Sequence, residues 1–249
     1  MSLAGALLDY YLLSPARAGR EMTGPLVATA TPSVNISFGG LHSPSTSVVI
    51  IAALTILSIA PSVLILFTGF TRIFIVLGLT RSGLGLQNTP PNQVLAGIAL
   101  FISLFVMAPV LNQVDHQALQ PYLHGKVNAT QAIKVGEVPV KTWMLKQTGI
   151  SELEMFATDQ HDSFTNPATL PMTVVVPSFV LSQVQSAFTI GFVIFIPFLV
   201  IDLVVSSVLM SMGMFMLPPT LVSLPFKILL FVLVDGWALV VHSLITSFH

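Results

Sequence analysis

The chain has 249 residues, of which 54% are hydrophobic and only 8% charged, where an ordinary soluble domain carries about a quarter charged residues. So little charge cannot cover a water-facing surface of this size, so most of the surface faces lipid or other protein. A formal net charge of −1 with no basic run argues against a nucleic-acid partner, and the absence of cysteine rules out a disulfide framework or a thiolate metal site.

The expected fold class is all-α and membrane-associated, with two long kinked helical hairpins and a small polar helical domain between them. Residues 1–47 read as a flexible lead-in rich in Ser, Thr, Gly and Pro. An early apolar run, LAGALLDYYLL, is followed by Ala16-Arg17-Ala18, which has the form of a signal-peptide cleavage site, although no positive charge precedes the run and Asp9 interrupts it.

Residues 48–111 make the first hairpin. The apolar tract up to Leu79 is longer than the roughly 20 residues that cross a hydrocarbon core, and Pro61 inside it predicts a kink. Arg72 and Arg81 precede a Gly-rich turn that Pro90 and Pro91 close, and residues 94–111 return as a second apolar helix.

Residues 112–172 hold four of the lysines and most of the acids, with Pro121, Gly125 and Pro139 as breakers, and read as a polar domain. Within it TWMLKQTGISELEMFA has the periodicity of an amphipathic helix interrupted at Gly149. His116, His124 and His161 are scattered here and read as solvated. The basic residues nearest the apolar ends, Arg72, Arg81 and Lys227, favour cytoplasmic hairpin tips, which puts the middle domain on the opposite, periplasmic side.

Residues 173–249 form the second hairpin, bent at Pro197 and turned at Pro218 and Pro219. Counted from that turn, Asp202 and Asp235 fall at one depth, roughly 25 Å away along straight helices. A carboxylate there needs a partner, a proton or water. Arg72 is the expected partner of one of them, within one subunit or across a subunit boundary, with Lys227 in the same charged set; the alternative is that both acids sit in a polar interface or in water. Met210, Met212, Met214 and Met216 alternate along the end of the first arm, a spacing that puts all four on one side only of a non-helical segment. Such a run either fills gaps between helices or forms a yielding constriction.

Three strings, PPNQVLAGIALFISLFVMAPV, SAFTIGFVIFIPFLVIDLVVSSVLMSMGMFMLPP and SLPFKILLFVLVDGWALVV, together with WMLKQT, resemble the FliP family of type III export-gate subunits. The resemblance covers most of the chain from Val48 onward. It implies a ring of five copies joined by FliQ and FliR beside other export-apparatus membrane proteins, through which unfolded flagellar proteins leave the cytoplasm. It implies a bacterial inner-membrane and flagellar basal-body location, helices raised toward the periplasm, and a gasket made by Met210, Met212, Met214 and Met216. Where many members of the family carry an acid and then a base two positions later, this chain has Gln183 and Gln185, a polar interface pair without charge.

No nucleophile with its base, no ligand cluster at metal spacing and no phosphate-cradling loop is present, so neither an enzyme nor a cofactor is expected. The competing reading is an ion-coupled transporter or proton-conducting subunit using Asp202, Asp235 and Arg72. Inverted repeats would favour it, and no repeat is evident.

Overall fold

A computed structural model of the chain describes residues 46–159 and 166–248. Those residues are helical with no strand among them. The signal-like segment, the lead-in up to residue 45 and His161 lie outside the described residues.

Helix α1 (Thr46–Phe67) is followed after two residues by α2 (Phe70–Gly83). α1 continues past Pro61, and the sharp bend, 73°, comes instead at Thr68 and Gly69. Thr68 makes that break from its own side chain: its hydroxyl donates to the Leu64 carbonyl at 2.5 Å and accepts from the Phe70 N–H at 3.3 Å. The latter satisfies a donor that the start of α2 would otherwise leave orphaned.

α2 is the central helix. Arg72, Ile73, Val76, Leu77, Thr80 and Gly83 are buried along it, a stripe with helical period. The 32-residue α3 (Asn92–Leu123) packs on that stripe through Leu95, Ala99, Ile102 and Val106. Arg81 anchors the connecting turn, donating to Asn92 Oδ1 at 2.7 Å and to the Pro90 carbonyl at 3.1 Å across the cis Thr89–Pro90 bond.

α3 does not stop at residue 111. It runs on through a π-helical turn, Asp115–Leu119, into the segment read as a polar domain. α4 (Ala129–Lys146) begins at an Asn128 capping box, with Asn128 Oδ1 accepting from the Gln131 N–H at 2.8 Å and Gln131 Oε1 accepting from the Asn128 N–H at 3.2 Å. Pro139 lies inside α4, buried, and does not break it. The interruption at Gln147–Gly149 separates α4 from α5 (Ile150–Asp159). These two helices share a core with the next one: Met144, Leu153 and Ala157 pack with Val174, Val175 and Phe179. Among the described residues the middle segment therefore shares its core with the second hairpin.

α6 (Met172–Ser211) is a single 40-residue helix containing Pro177 and Pro197. A proline inside a helix is tolerated where neighbouring helices and hydroxyl side chains re-satisfy the freed backbone, and here α2 lies close alongside. A Cβ on Gly83 would stand 2.8 Å from the Phe198 ring, and one on Gly191 would run into the Leu79 side chain, so small residues set the approach of α2 and α6.

α7 (Pro219–Leu233) and α8 (Gly236–Thr246) return along α6 with a 64° bend between them. The bend is made by Asp235, in the left-handed conformation at φ 49°, a region Asp tolerates better than most residues. α3 and α6 are each long and apolar enough to cross a membrane, and the bent pairs α1/α2 and α7/α8 qualify as broken spans by the same test.

Candidate functional site

The site is built where α6 and α7 approach the end of α2. Lys227, buried in α7, donates from Nζ to Asp202 Oδ2 at 2.6 Å and to the Gly83 carbonyl at 3.2 Å. One turn earlier on the same face, Ser223 donates to Asp202 Oδ1 at 2.5 Å. Both carboxylate oxygens are thus satisfied, and the ammonium also serves one of the carbonyls that the C-terminal end of α2 cannot pair internally. In an apolar setting this lowers the cost of both charges: each is paired, and the remaining lone pairs have donors.

Within the chain Arg72 is not the partner of Asp202 or Asp235, contrary to the expectation of a bridge inside one subunit. It is buried near the other end of α2, where Nη1 donates to the Ser247 carbonyl at 2.9 Å and to Ser247 Oγ at 3.3 Å, and Nη2 reaches Gln147 Oε1 at 3.4 Å. Its guanidinium lies 4.2 Å above the ring of Phe248. That ring stacks on Trp143 at 6.2 Å and fills the α1–α2 break, where a Cβ on Gly69 would stand 2.5 Å from it.

The expected shared depth of Asp202 and Asp235 also fails. α6 ends at Ser211 and seven residues separate it from Pro219, which starts α7, so the intervening loop, not the proline pair, is the centre of the turn. Asp202 lies about two and a half turns from the end of its helix, while Asp235 lies about four and a half from the start of α7. Asp235 is exposed at the α7–α8 break and its side chain caps nothing.

Gln183 and Gln185 part company. Gln183 is fully buried, donates from Nε2 to the Gln147 carbonyl at 3.1 Å, and leaves Oε1 without a partner. Gln185 is exposed, as successive residues of a helix differing by two positions diverge around its axis.

The methionine run begins in the last turn of α6 with Met210 and continues in the loop with Met212, Met214 and Met216. Gly213 at φ 76° ends the helix in a Schellman motif, in which the Gly213 N–H donates to the Met210 carbonyl and the Met214 N–H to the Leu209 carbonyl, each at 3.0 Å. The chain is therefore tightly turned here, not extended. All four methionines are exposed, Met216 almost completely at 96%, together with Phe215 at 79%. An apolar loop presented so fully has no covering partner among the described residues.

Sequence reasoning passed over Ser223 and the Gly83 carbonyl as members of the charged cluster. The spacing of Ser223 and Lys227 on one helix face was the available signal. Among the described residues no group of His, Cys, Asp or Glu has the arrangement of a metal site.

Membrane-length apolar helices folded into hairpins, an interhelical ion pair and an exposed apolar loop define a membrane-associated, all-α hairpin protein. The FliP family model matches residues 53–244. A flagellar biosynthetic protein FliP of Bacillus subtilis (strain 168) is 50% identical over 208 residues, covering 82% of this chain and 93% of its own. Its counterpart in Pectobacterium carotovorum is 48% identical over 84% of this chain and 82% of its own, and that of Cereibacter sphaeroides 43% identical over 100% and 80%. The chain belongs to the FliP family.

Proposed function

We propose that this chain is a core subunit of the flagellar type III export gate, assembling as a ring of five with FliQ and FliR to conduct unfolded flagellar proteins, and that its methionine loop seals the ring. The observation that carries the reading is the loop itself: Met210, Met212, Met214, Phe215 and Met216 are exposed around a hydrogen-bonded Schellman turn at the end of a 40-residue helix. Unbranched, polarisable thioethers arranged around an axis close on one another when the channel is empty and yield to side chains of any shape when a polypeptide passes. The ion pair of Lys227 and Asp202 fixes the arm that carries the loop.

The middle segment faces the periplasm in this reading. The test is assembly together with conductance: co-expression with FliQ and FliR should yield one ring-sized particle, and replacing Met210, Met212 and Met214 by alanine should leave that particle intact while it leaks small ions. An intact particle with unchanged leakage would remove the gasket role.

A further inference from the structure

Two cavities meet along one side of α6. The first, about 390 Å³, is polar: Arg72, Gln147, Glu152, Ser182, Gln185 and Ser247 are among the residues that line it. The second, about 600 Å³, is apolar, walled by Val193, Ile194, Phe198, Leu230, Phe231 and Val240 among others. Thr189 and Ile190 belong to both walls. On α8, Ser243 lines the apolar cavity and Ser247, one turn on, lines the polar one, so α6 and α8 border a groove that changes from polar to apolar along its length.

The polar end holds a buried cation that, among the described residues, rests on neutral partners alone. Arg72 is buried, its Nε has no acceptor, and no carboxylate among the described residues lies within ion-pair distance of it. Its Nη atoms rest on neutral oxygens, and the Gln147 contact at 3.4 Å is long enough for a better acceptor to displace it. Guanidinium forks match phosphate oxygens in geometry and charge. Glu152, half-exposed on the same cavity wall and bonded to Ser151 Oγ at 2.9 Å, supplies the opposite charge.

We propose that this groove seats one phospholipid whose headgroup carries both a phosphate and a primary ammonium. The phosphate sits on Arg72, the ammonium faces Glu152, and one acyl chain runs past Thr189 into the apolar cavity. Each part of the groove has its complement in that molecule, whereas a purely apolar helix would leave Arg72 on its neutral partners and a small anion would leave the apolar cavity empty.

The protein's own two tryptophans report on occupancy. Trp237 meets the cavity-lining Phe231 edge-on at 5.3 Å, while Trp143 stacks on Phe248 near the polar end. The full chain, purified in detergent and stripped of lipid, is titrated with phosphatidylethanolamine or phosphatidylglycerol bearing a dibrominated acyl chain, and with the dibrominated fatty acid. Saturable quenching is expected, most of it lost in Trp237→Phe. The ethanolamine lipid should bind about threefold more tightly than the glycerol lipid, the scale of one partly exposed ion pair, and Glu152→Gln should abolish that preference.

Arg72→Lys should weaken both phospholipids. Should that variant fail to fold, the double variant Val193→Phe with Ser243→Phe, which fills the apolar cavity from its rim, should itself suppress the quenching. Quenching that grows without saturation, or that survives the double variant unchanged, would overturn the seat. Tighter binding of the fatty acid than of either phospholipid would overturn the headgroup assignment.

Discussion

Lys227 in α7 and Asp202 in α6 are joined at 2.6 Å, with the Lys227 ammonium also resting on the last carbonyl of α2. One ion pair thus ties three helices together below the loop that carries the methionines. The Asp202 side chain is 28% exposed against 4% for Lys227, so removing the carboxylate strands a buried ammonium, while removing the lysine leaves a carboxylate that is only partly buried and keeps the Ser223 hydrogen bond.

Asp202→Asn should therefore lower stability more than Lys227→Met does, by about 2 kcal/mol or more. The double variant should be less destabilised than the two losses summed, with a coupling of about 1 to 3 kcal/mol. Thermal or denaturant unfolding of the detergent-solubilised chain measures both. Strict additivity would mean that the pair is not coupled.

Gly69 and Phe248 make a second pair with a directional consequence. Gly69→Ala places a methyl group against a ring already held between Arg72 and Trp143, which should cost about 1 to 3 kcal/mol as overpacking. Phe248→Leu frees that space and should recover part of the loss in the double variant. Melting of the single and double variants checks this, and no recovery would place the cost elsewhere than at the ring.

Gly213 needs its left-handed backbone. A Cβ there meets nothing within 4 Å, so Gly213→Ala should cost only the conformational term, about 1 kcal/mol, and Gly213→Asn less. The informative readout is leakage of the assembled complex, because an altered turn displaces Met214 and Met216 even where the fold survives. Leakage equal to that of the unaltered chain would show that the Schellman turn does not position the loop.

Gln183 carries one satisfied and one unsatisfied polar group in a fully buried position. Gln183→Met loses the hydrogen bond to the Gln147 carbonyl but removes the stranded oxygen, so the net change should stay within about 1 kcal/mol. Gln183→Glu keeps the shape and puts a carboxylate oxygen where the donor was, opposite that carbonyl, and should be the more damaging change. Comparison of the two melting midpoints decides the order; the reverse order would contradict the assigned hydrogen bond.

Hydrophobic length and the Pro90-Pro91 and Pro218-Pro219 signals made the hairpins legible, because burial and helix termination are local properties of the chain. The bends are less legible, because a proline held between packed helices need not break its own helix. Pro139 reads as a breaker in the sequence, yet it lies within a helix, while the sharp breaks fall at Thr68-Gly69 and Asp235-Gly236, each with a glycine that marks a turn. The register of the second hairpin went wrong because the turn was centred on Pro218; Gly213, which ends α6, is the better origin and brings Asp202 opposite Ser223 and Lys227. The surroundings of Arg72 had no local signal at all. Gln147 and Ser247 stand 75 and 175 residues away in sequence, and only the packing of α4 and α8 against α2 brings them to it.

The proposed sealing of a conducting ring by the exposed methionine loop has a direct readout in ion leakage. The assembled complex bearing Met210→Ala, Met212→Ala and Met214→Ala, inserted into a planar bilayer or expressed in cells lacking their own subunit, should show intact particle size and a raised small-ion conductance relative to the unaltered complex. An intact particle whose conductance is unchanged would contradict the account.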